Sequence, residues 1–290
     1  MAEKKKILVT GGAGFIGTNL IEQLVKNQAN EVYSLDNYST GSKNNHIKGA
    51  TYIEGDTNDI AELVKIKPDL VYHLGEYARV EKSFEDMPVV WHSNKDGTFA
   101  VLQFARANKA KLVYAGSSTK FGDGGLGRDQ SPYAWAKASN TELIQNYGKW
   151  FNLSYAITYF YNVYGPREIS TGGFATVIGI FKEKRKQDAP LSVVSPGTQA
   201  RIFTHVDDIV KGLILVGEKG EGDGYGLGAE EEYSILDIAK MFGGKIEMLP
   251  PRAGNRMSST IDLSRSRDEL GWRAEKSIKK HIEEFVAAIK

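Results

Sequence analysis

The chain contains no cysteine. That excludes disulfides, thiolate metal sites and a cysteine nucleophile in one stroke. It has only five histidines, at positions 46, 73, 92, 205 and 281, and none falls in an H-x-x-x-H or related ligand spacing, so no metal is expected. No apolar run approaches the roughly 18 residues that span a bilayer. Charged residues lead straight into the first apolar run, without a signal-peptide core. Charge of one sign is lacking too: 37 basic residues against 36 acidic ones leave a formal +1. Nothing in that balance calls for nucleic acid as a partner, and Lys4-Lys5-Lys6 reads as a solvated lead-in. Aromatics cluster near Trp150–Tyr164, where packing explains them better than base stacking. The expectation is a cytoplasmic protein with no membrane span.

What is present is an alternation of short β-branched runs with helically spaced segments, the pattern of a parallel sheet with crossover helices. Strands are predicted at Ile7–Thr10, Glu31–Asp36, Thr51–Glu54, Leu70–Leu74, Lys111–Ala115 and Ser154–Thr158, with helices such as Phe15–Lys26 and Asn94–Ala107 between them. Ser131-Pro132 reads as the cap and first position of another helix. From about Tyr164 the texture changes, with turns at Gly165-Pro166, Ser195-Pro196-Gly197 and Pro250-Pro251. The reading is two units, residues 1–163 and a smaller lobe over 164–290, with the lobe lending an element back to the sheet.

The first strand runs into Gly11-Gly12-Ala13-Gly14-Phe15-Ile16-Gly17 and then an apolar helix. A tight glycine turn there delivers backbone amides at a helix N-terminus to a pyrophosphate, and the strand–turn–helix context distinguishes it from a chance string. Gly11, Gly14, Phe15, Ile16 and Gly17 are the expected dinucleotide contacts. Asp36 ends the second strand, 19 residues beyond Gly17, where a carboxylate holds the adenosine ribose hydroxyls and repels a 2′-phosphate. NAD is therefore expected rather than NADP, in a Rossmann-type doubly wound α/β sheet. Asp56 either reaches the adenine edge or caps the helix that follows.

Tyr133 and Lys137 stand at i and i+4 on one helical face. A cation beside a phenol favours the phenolate, so Tyr133 is a candidate general base for a sugar hydroxyl while hydride leaves the same carbon. The fifth strand ends in Ser117-Ser118-Thr119, three hydroxyls at the carboxyl end of a parallel strand, where ligands bind.

These motifs resemble those of the extended short-chain dehydrogenase/reductases, in the NAD-dependent sugar-nucleotide epimerase/dehydratase family typified by UDP-glucose 4-epimerase. The resemblance runs nearly end to end: Gly11–Gly17, Asp36-Asn37, Gly55-Asp56, Asn94 with Gly97-Thr98, Ser117–Gly122, Tyr133/Lys137, Asn162 with Tyr164-Gly165-Pro166-Arg167, Arg201 through His205-Val206-Asp207-Asp208, and Arg252. It implies Ser117 and Tyr133 as catalytic and Lys137 as the residue that holds the nicotinamide ribose. It implies Asn37 and Asn94 at the cofactor, and Ser118, Thr119, Asn162, Arg201 and Arg252 at the nucleotide sugar. A homodimer through the helices around Asn94–Ala107 and Ala134–Tyr147 is likewise implied, as are structural roles for His73 and His205.

The family shares oxidation at C4. Its dehydratases carry an acidic residue just after the catalytic hydroxyl, where this chain has Ser118 and Thr119. The remaining simplest reaction is 4-epimerisation. Release of a 4-keto sugar by a 4-dehydrogenase is the alternative, and a non-catalytic NAD-sensing or scaffold protein is the reading of another class. Four departures stand out. Glu76 occupies an alanine position of H-L-A-A, as an acid beside the nicotinamide or sugar or as a solvent-facing loop carboxylate. Lys120-Phe121 replaces a V-Y pair. The loop from Gly122 to Tyr133 is short and glycine-rich, and Asn255 replaces an aspartate.

Overall fold

The computed structural model describes residues 3–251 and 262–289, except for the side chains of 120 and 122–126. Six strands follow in order: β1 Lys5–Thr10, β2 Asn30–Asp36, β3 Ala50–Glu54, β4 Leu70–His73, β5 Lys111–Ser117 and β6 Tyr155–Phe160. A seventh, Gly222–Leu227, comes from the later part of the chain and pairs with β6. The sheet order is seventh strand, β6, β5, β4, β1, β2, β3, with every pair parallel. Parallel strands buried on both faces need continuous apolar runs rather than alternation. Ile7-Leu8-Val9 and Leu70-Val71-Tyr72 supply them at the centre.

Each sheet face is closed by its own helices. On one, Leu20, Ile21 and Leu24 of the helix Phe15–Leu24 pack with Ile209, Leu213 and Val216 of the helix Val206–Lys219. On the other, Val101, Leu102 and Ala105 of Gly97–Asn108 pack with Ile144 and Tyr147 of Pro132–Phe151. A third cluster, including Phe181, Val193, Phe203, Phe242 and Ile282, lies wholly in the later half of the chain. No helix among the described residues is long and apolar enough to cross a membrane.

The predicted strands are all present, with shifted ends. β5 continues to Ser117 and β6 to Phe160 because Gly116 pairs with Tyr159 and Ser117 with Phe160, a register no single segment reveals. β4 stops at His73, one residue short of the expected Leu74. The first helix ends at Leu24 rather than Lys26. The helix expected from Asn94 is preceded by a helical turn, Met87–Val90, and a π-helical stretch, Trp91–Asp96, before Gly97–Asn108. Such wide turns are rare and concentrate at functional sites. Ser131 caps the long helix as expected, accepting from the Ala134 amide at 3.1 Å. The stretch read as a short glycine-rich loop from Gly122 to Tyr133 is largely wound in 3-10 turns, which run over Ser118–Asp129.

Strand order reverses between β1 and β4, where Thr10 lies in register with His73. Connections leave in opposite directions there, so a crevice opens beyond the carboxyl ends of the two strands. The candidate site lies around it.

Candidate active site

The glycine turn is dictated by close approach. Gly11 sits at φ +70°, and a Cβ on it would come within 2.8 Å of the Gly75 backbone. A Cβ on Gly17 would lie 2.1 Å from the Gly11 carbonyl oxygen, and one on Gly12 would collide with Ser34 and Ile21. Gly14 differs: its nearest obstacle is the Gly11 oxygen at 3.3 Å. Three glycines are thus consumed by the fold, and the fourth keeps open the side from which a phosphate approaches. Among the described residues no side chain caps the helix that begins at Phe15, which leaves the first-turn amides of Phe15 and Ile16 for an anion. This cradle fits a dinucleotide.

Asp36 is buried at the end of β2 and accepts from the Ala13 amide at 2.8 Å and the Tyr38 amide at 2.8 Å. Its carboxylate is oriented by the turn itself, and each oxygen retains a lone pair for a ribose hydroxyl. Asn37 donates to Asp56 at 3.0 Å. Of the two roles open to Asp56, capping is the one built: it accepts from the Asn58 amide at 3.0 Å, opening the turn Thr57–Asp59. That pairing and the nearby His92 help hold its carboxyl below the usual carboxylate range, against the opposing effect of burial.

Asn94 is fully buried, and its carboxamide clasps one residue. The side-chain oxygen accepts from the Tyr77 amide at 2.7 Å, and its nitrogen donates to the Tyr77 carbonyl at 3.0 Å. Asn94 thereby shapes the loop after β4, and its amide keeps a second N–H and a second lone pair beyond these two bonds.

Ser117 and Ser118 are nearly buried at the end of β5. The Ser117 hydroxyl is 2.9 Å from that of Thr119, so two of the three expected hydroxyls form one unit. Tyr133, in the first turn of the long helix, packs its ring into a small cluster with Tyr77, Val90, Ala136 and Phe174. One turn later Lys137 is buried, donating to the Ala115 carbonyl of β5 and to Glu76. Its ammonium also lies 4.4 Å from the Tyr114 ring centroid.

Glu76 is not a solvent-facing carboxylate. Besides Lys137 it accepts from Thr98 Oγ1 at 3.0 Å, Tyr114 OH at 3.0 Å and Asn140 Nδ2 at 3.2 Å. Behind it, His73 bridges Thr10 at 2.7 Å and Thr98 at 3.0 Å. Burial pushes the His73 imidazole down to about 4, so it is neutral at pH 7. With Thr98 donating to Glu76, the proton of His73 is assigned to Nε2. Its Nδ1 then accepts from Thr10, which in turn accepts the Gly75 amide at 3.1 Å. His73 is structural, as the resemblance implies, and so is His205, which accepts from the Asp207 amide at 3.1 Å to start a helix.

The residues expected at the nucleotide sugar are brought partly together. Asn162 donates to the Ile202 carbonyl at 2.9 Å, which sets it beside Arg201 on the strand Ala200–Ile202. Arg201 donates to the Ala200 carbonyl at 2.8 Å. Arg167 ties the later half of the chain to the first helix, pairing with Glu22 at 2.9 Å and bonding Asn19. Arg252 and Asn255 lie outside the described residues. Thr10, Tyr114 and Asn140 carry roles that sequence reasoning missed. Asn140 alone had a signal, since it follows Lys137 by three on the face that already holds Tyr133.

Residues 7–228 match the family model described as the NAD dependent epimerase/dehydratase family. The UDP-N-acetyl-alpha-D-glucosaminuronate decarboxylase of Bacillus cytotoxicus is 33% identical over 257 residues, covering 82% of this chain and 79% of that one. Among solved structures, the Thermus thermophilus UDP-glucose 4-epimerase in complex with NAD superposes with a TM-score of 0.87 at 27% identity, covering 98% of both chains. The UDP-glucuronic acid 4-epimerase of Bacillus cereus, with UDP-glucuronic acid and NAD, gives 0.87 at 26% identity, again covering 98% of each.

Proposed function

Because the chain belongs to the NAD dependent epimerase/dehydratase family, we propose that it oxidises C4 of a nucleotide-linked sugar and returns the hydride to the opposite face, as a nucleotide-sugar 4-epimerase. NAD bound in the glycine cradle supplies the hydride acceptor. Tyr133 removes the proton from the C4 hydroxyl, Ser117 bonds the reacting oxygen, and Lys137 holds the nicotinamide ribose.

The observation that carries this reading is the distribution of acids. Ser118 and Thr119 follow Ser117 with no carboxylate for proton transfer at C5 or C6. Among the described residues the one acid bonded to Lys137, Glu76, is enclosed by donors and has no freedom to serve the sugar. With no further acid–base pair seen at the C4 position among the described residues, inversion is the simplest outcome.

Arg79 favours a second reading. Its Nε is buried with no hydrogen-bond partner among the described residues, and its guanidinium lies 5.9 Å from the ring of Phe174, which packs, like Tyr133, against the cluster of Tyr77, Val90 and Ala136. A guanidinium there suits a carboxylate on C6. Oxidising C4 of a hexuronic acid makes a β-keto acid, which loses carbon dioxide without help from a further acid.

The purified protein is to be incubated with UDP-glucose, UDP-glucuronic acid, and GDP- and dTDP-hexoses, with products followed by NMR and cofactor by absorbance at ~340 nm. A C4-inverted sugar without net NADH is the expected result. A nucleotide pentose from the uronic acid selects decarboxylation, and stoichiometric NADH with a lasting ketone selects a dehydrogenase. No conversion of any sugar would count for the NAD-sensing or scaffold reading.

The same reading includes a homodimer. Phe84, Val89, Trp91, Phe99, Trp135 and Trp150 are exposed on or beside the two helices named above, and the rings of Trp91 and Trp135 stack at 5.9 Å. Exposed aromatics stacked side by side are the kind of surface a partner subunit covers. Sedimentation velocity is expected to give a dimer that Trp91→Glu with Trp135→Glu converts to monomer. A monomeric parent chain at micromolar concentration removes this part.

A further inference from the structure

Lys137 is 6% exposed and Glu76 3%, so the pair is out of water. Among the described residues, Glu76 is the one carboxylate bonded to Lys137, whose other partners are a carbonyl and the Tyr114 ring face. An ammonium in such a place favours its neutral form unless an anion offsets the burial. Glu76 is arranged to be that anion. Thr98, Tyr114 and Asn140 all donate to it, and a carboxylate, unlike a carboxylic acid, is acceptor only.

We propose that Glu76 is a positioning residue whose buried negative charge offsets the burial of the Lys137 ammonium and aims it in a crevice too dry to hold that cation alone. The groups around the pair come from every packed element. β4 contributes His73, which is neutral. β5 contributes Tyr114, whose hydroxyl burial holds well above its ordinary range. The long helix contributes Tyr133 and Asn140. The π-helical stretch contributes Lys95, bonded to Asn140 at 2.7 Å and pushed down by burial. The loop after β4 contributes Arg79, whose charge is felt at Tyr133. With Lys95 cationic and its charge felt at Glu76, loss of Glu76 leaves this crevice with uncompensated positive charge as well as low dielectric. The inference rests on the family fold and not on which sugar is turned over, so failure of the 4-epimerase reading leaves it standing.

The test is the pH dependence of folding stability in the full-length protein. In Glu76→Gln the folded chain favours neutral Lys137, whereas the unfolded chain binds that proton up to about pH 10.4. The unfolded state then holds more protons, so the variant gains stability relative to the parent as pH rises. The gap in thermal midpoint between parent and Glu76→Gln is expected to narrow by roughly 5 °C between pH 7 and 9.5. Adding Lys137→Met to both backgrounds is expected to abolish that narrowing, and Glu76→Asp to restore a flat gap. A gap that stays constant with pH overturns the proposal, because Lys137 then keeps its proton without Glu76. Should Glu76→Gln not fold at pH 7, the double variant with Lys137→Met is expected to fold, and its failure to do so also overturns the charge account.

Discussion

Replacing Tyr133 by phenylalanine is expected to cut turnover about 10³-fold while NAD stays bound, since the substitution removes one oxygen and nothing else. The ring packs with Tyr77, Val90, Ala136 and Phe174, and all of those contacts survive. The fold around it is set by Ser131, which caps the helix from below Tyr133. A fall in rate therefore reports the loss of the proton acceptor rather than a disturbed helix. Product formation by NMR gives the rate, and release of nucleotide from denatured enzyme gives the cofactor content. A variant within tenfold of the parent would take Tyr133 out of the chemistry.

The second large effect is expected at Gly17, in the turn rather than at the reacting end. An alanine methyl there meets the Gly11 oxygen at 2.1 Å, the Gly12 Cα at 2.8 Å and the Gly11 carbonyl carbon at 2.9 Å. All three are backbone atoms of the same turn, so no rotamer change relieves the clash. Gly17→Ala should lower stability by about 3 kcal/mol, toward the upper end for overpacking, and abolish NAD retention. Gly14→Ala is the informative partner. Its new methyl meets only the Gly11 oxygen, at 3.3 Å, and its φ of −81° is ordinary for alanine. That variant should fold with nearly the parent midpoint yet bind NAD more weakly, because the methyl projects where a phosphate must come. If Gly17→Ala purifies with full NAD and an unchanged midpoint, the tight-turn account of this cradle is wrong.

The contrast between those two glycines shows where sequence reasoning reaches and where it stops. The string Gly11–Gly17 is enough to locate the turn, because a phosphate cradle needs glycine within a few residues of a strand end. It does not say which glycines are obliged by the turn's own backbone and which keep a face open. Gly11 is pinned by Gly75, which lies 64 residues away and arrives only when β4 settles beside β1.

Local rules sufficed for six of the seven strands of the sheet, the cap at Ser131 and the common face of Tyr133 and Lys137. Each depends on repeats of two or 3.6 residues that a chain carries wherever it folds. The composition likewise removed cysteine chemistry before any coordinate was known. The sequence by itself thus determined a dinucleotide-binding α/β chain with a phenol and an ammonium one turn apart. The fate of Asp56, the clasp of Asn94 on Tyr77, and above all the pairing of Glu76 with Lys137 were decided by the tertiary structure. Polar side chains choose among partners, and for Glu76 those partners come from Thr98, Tyr114, Lys137 and Asn140, on three different elements. Burial then makes the choice binding, since a carboxylate withdrawn from water must accept from whatever donors the packed sheet and helices bring to it.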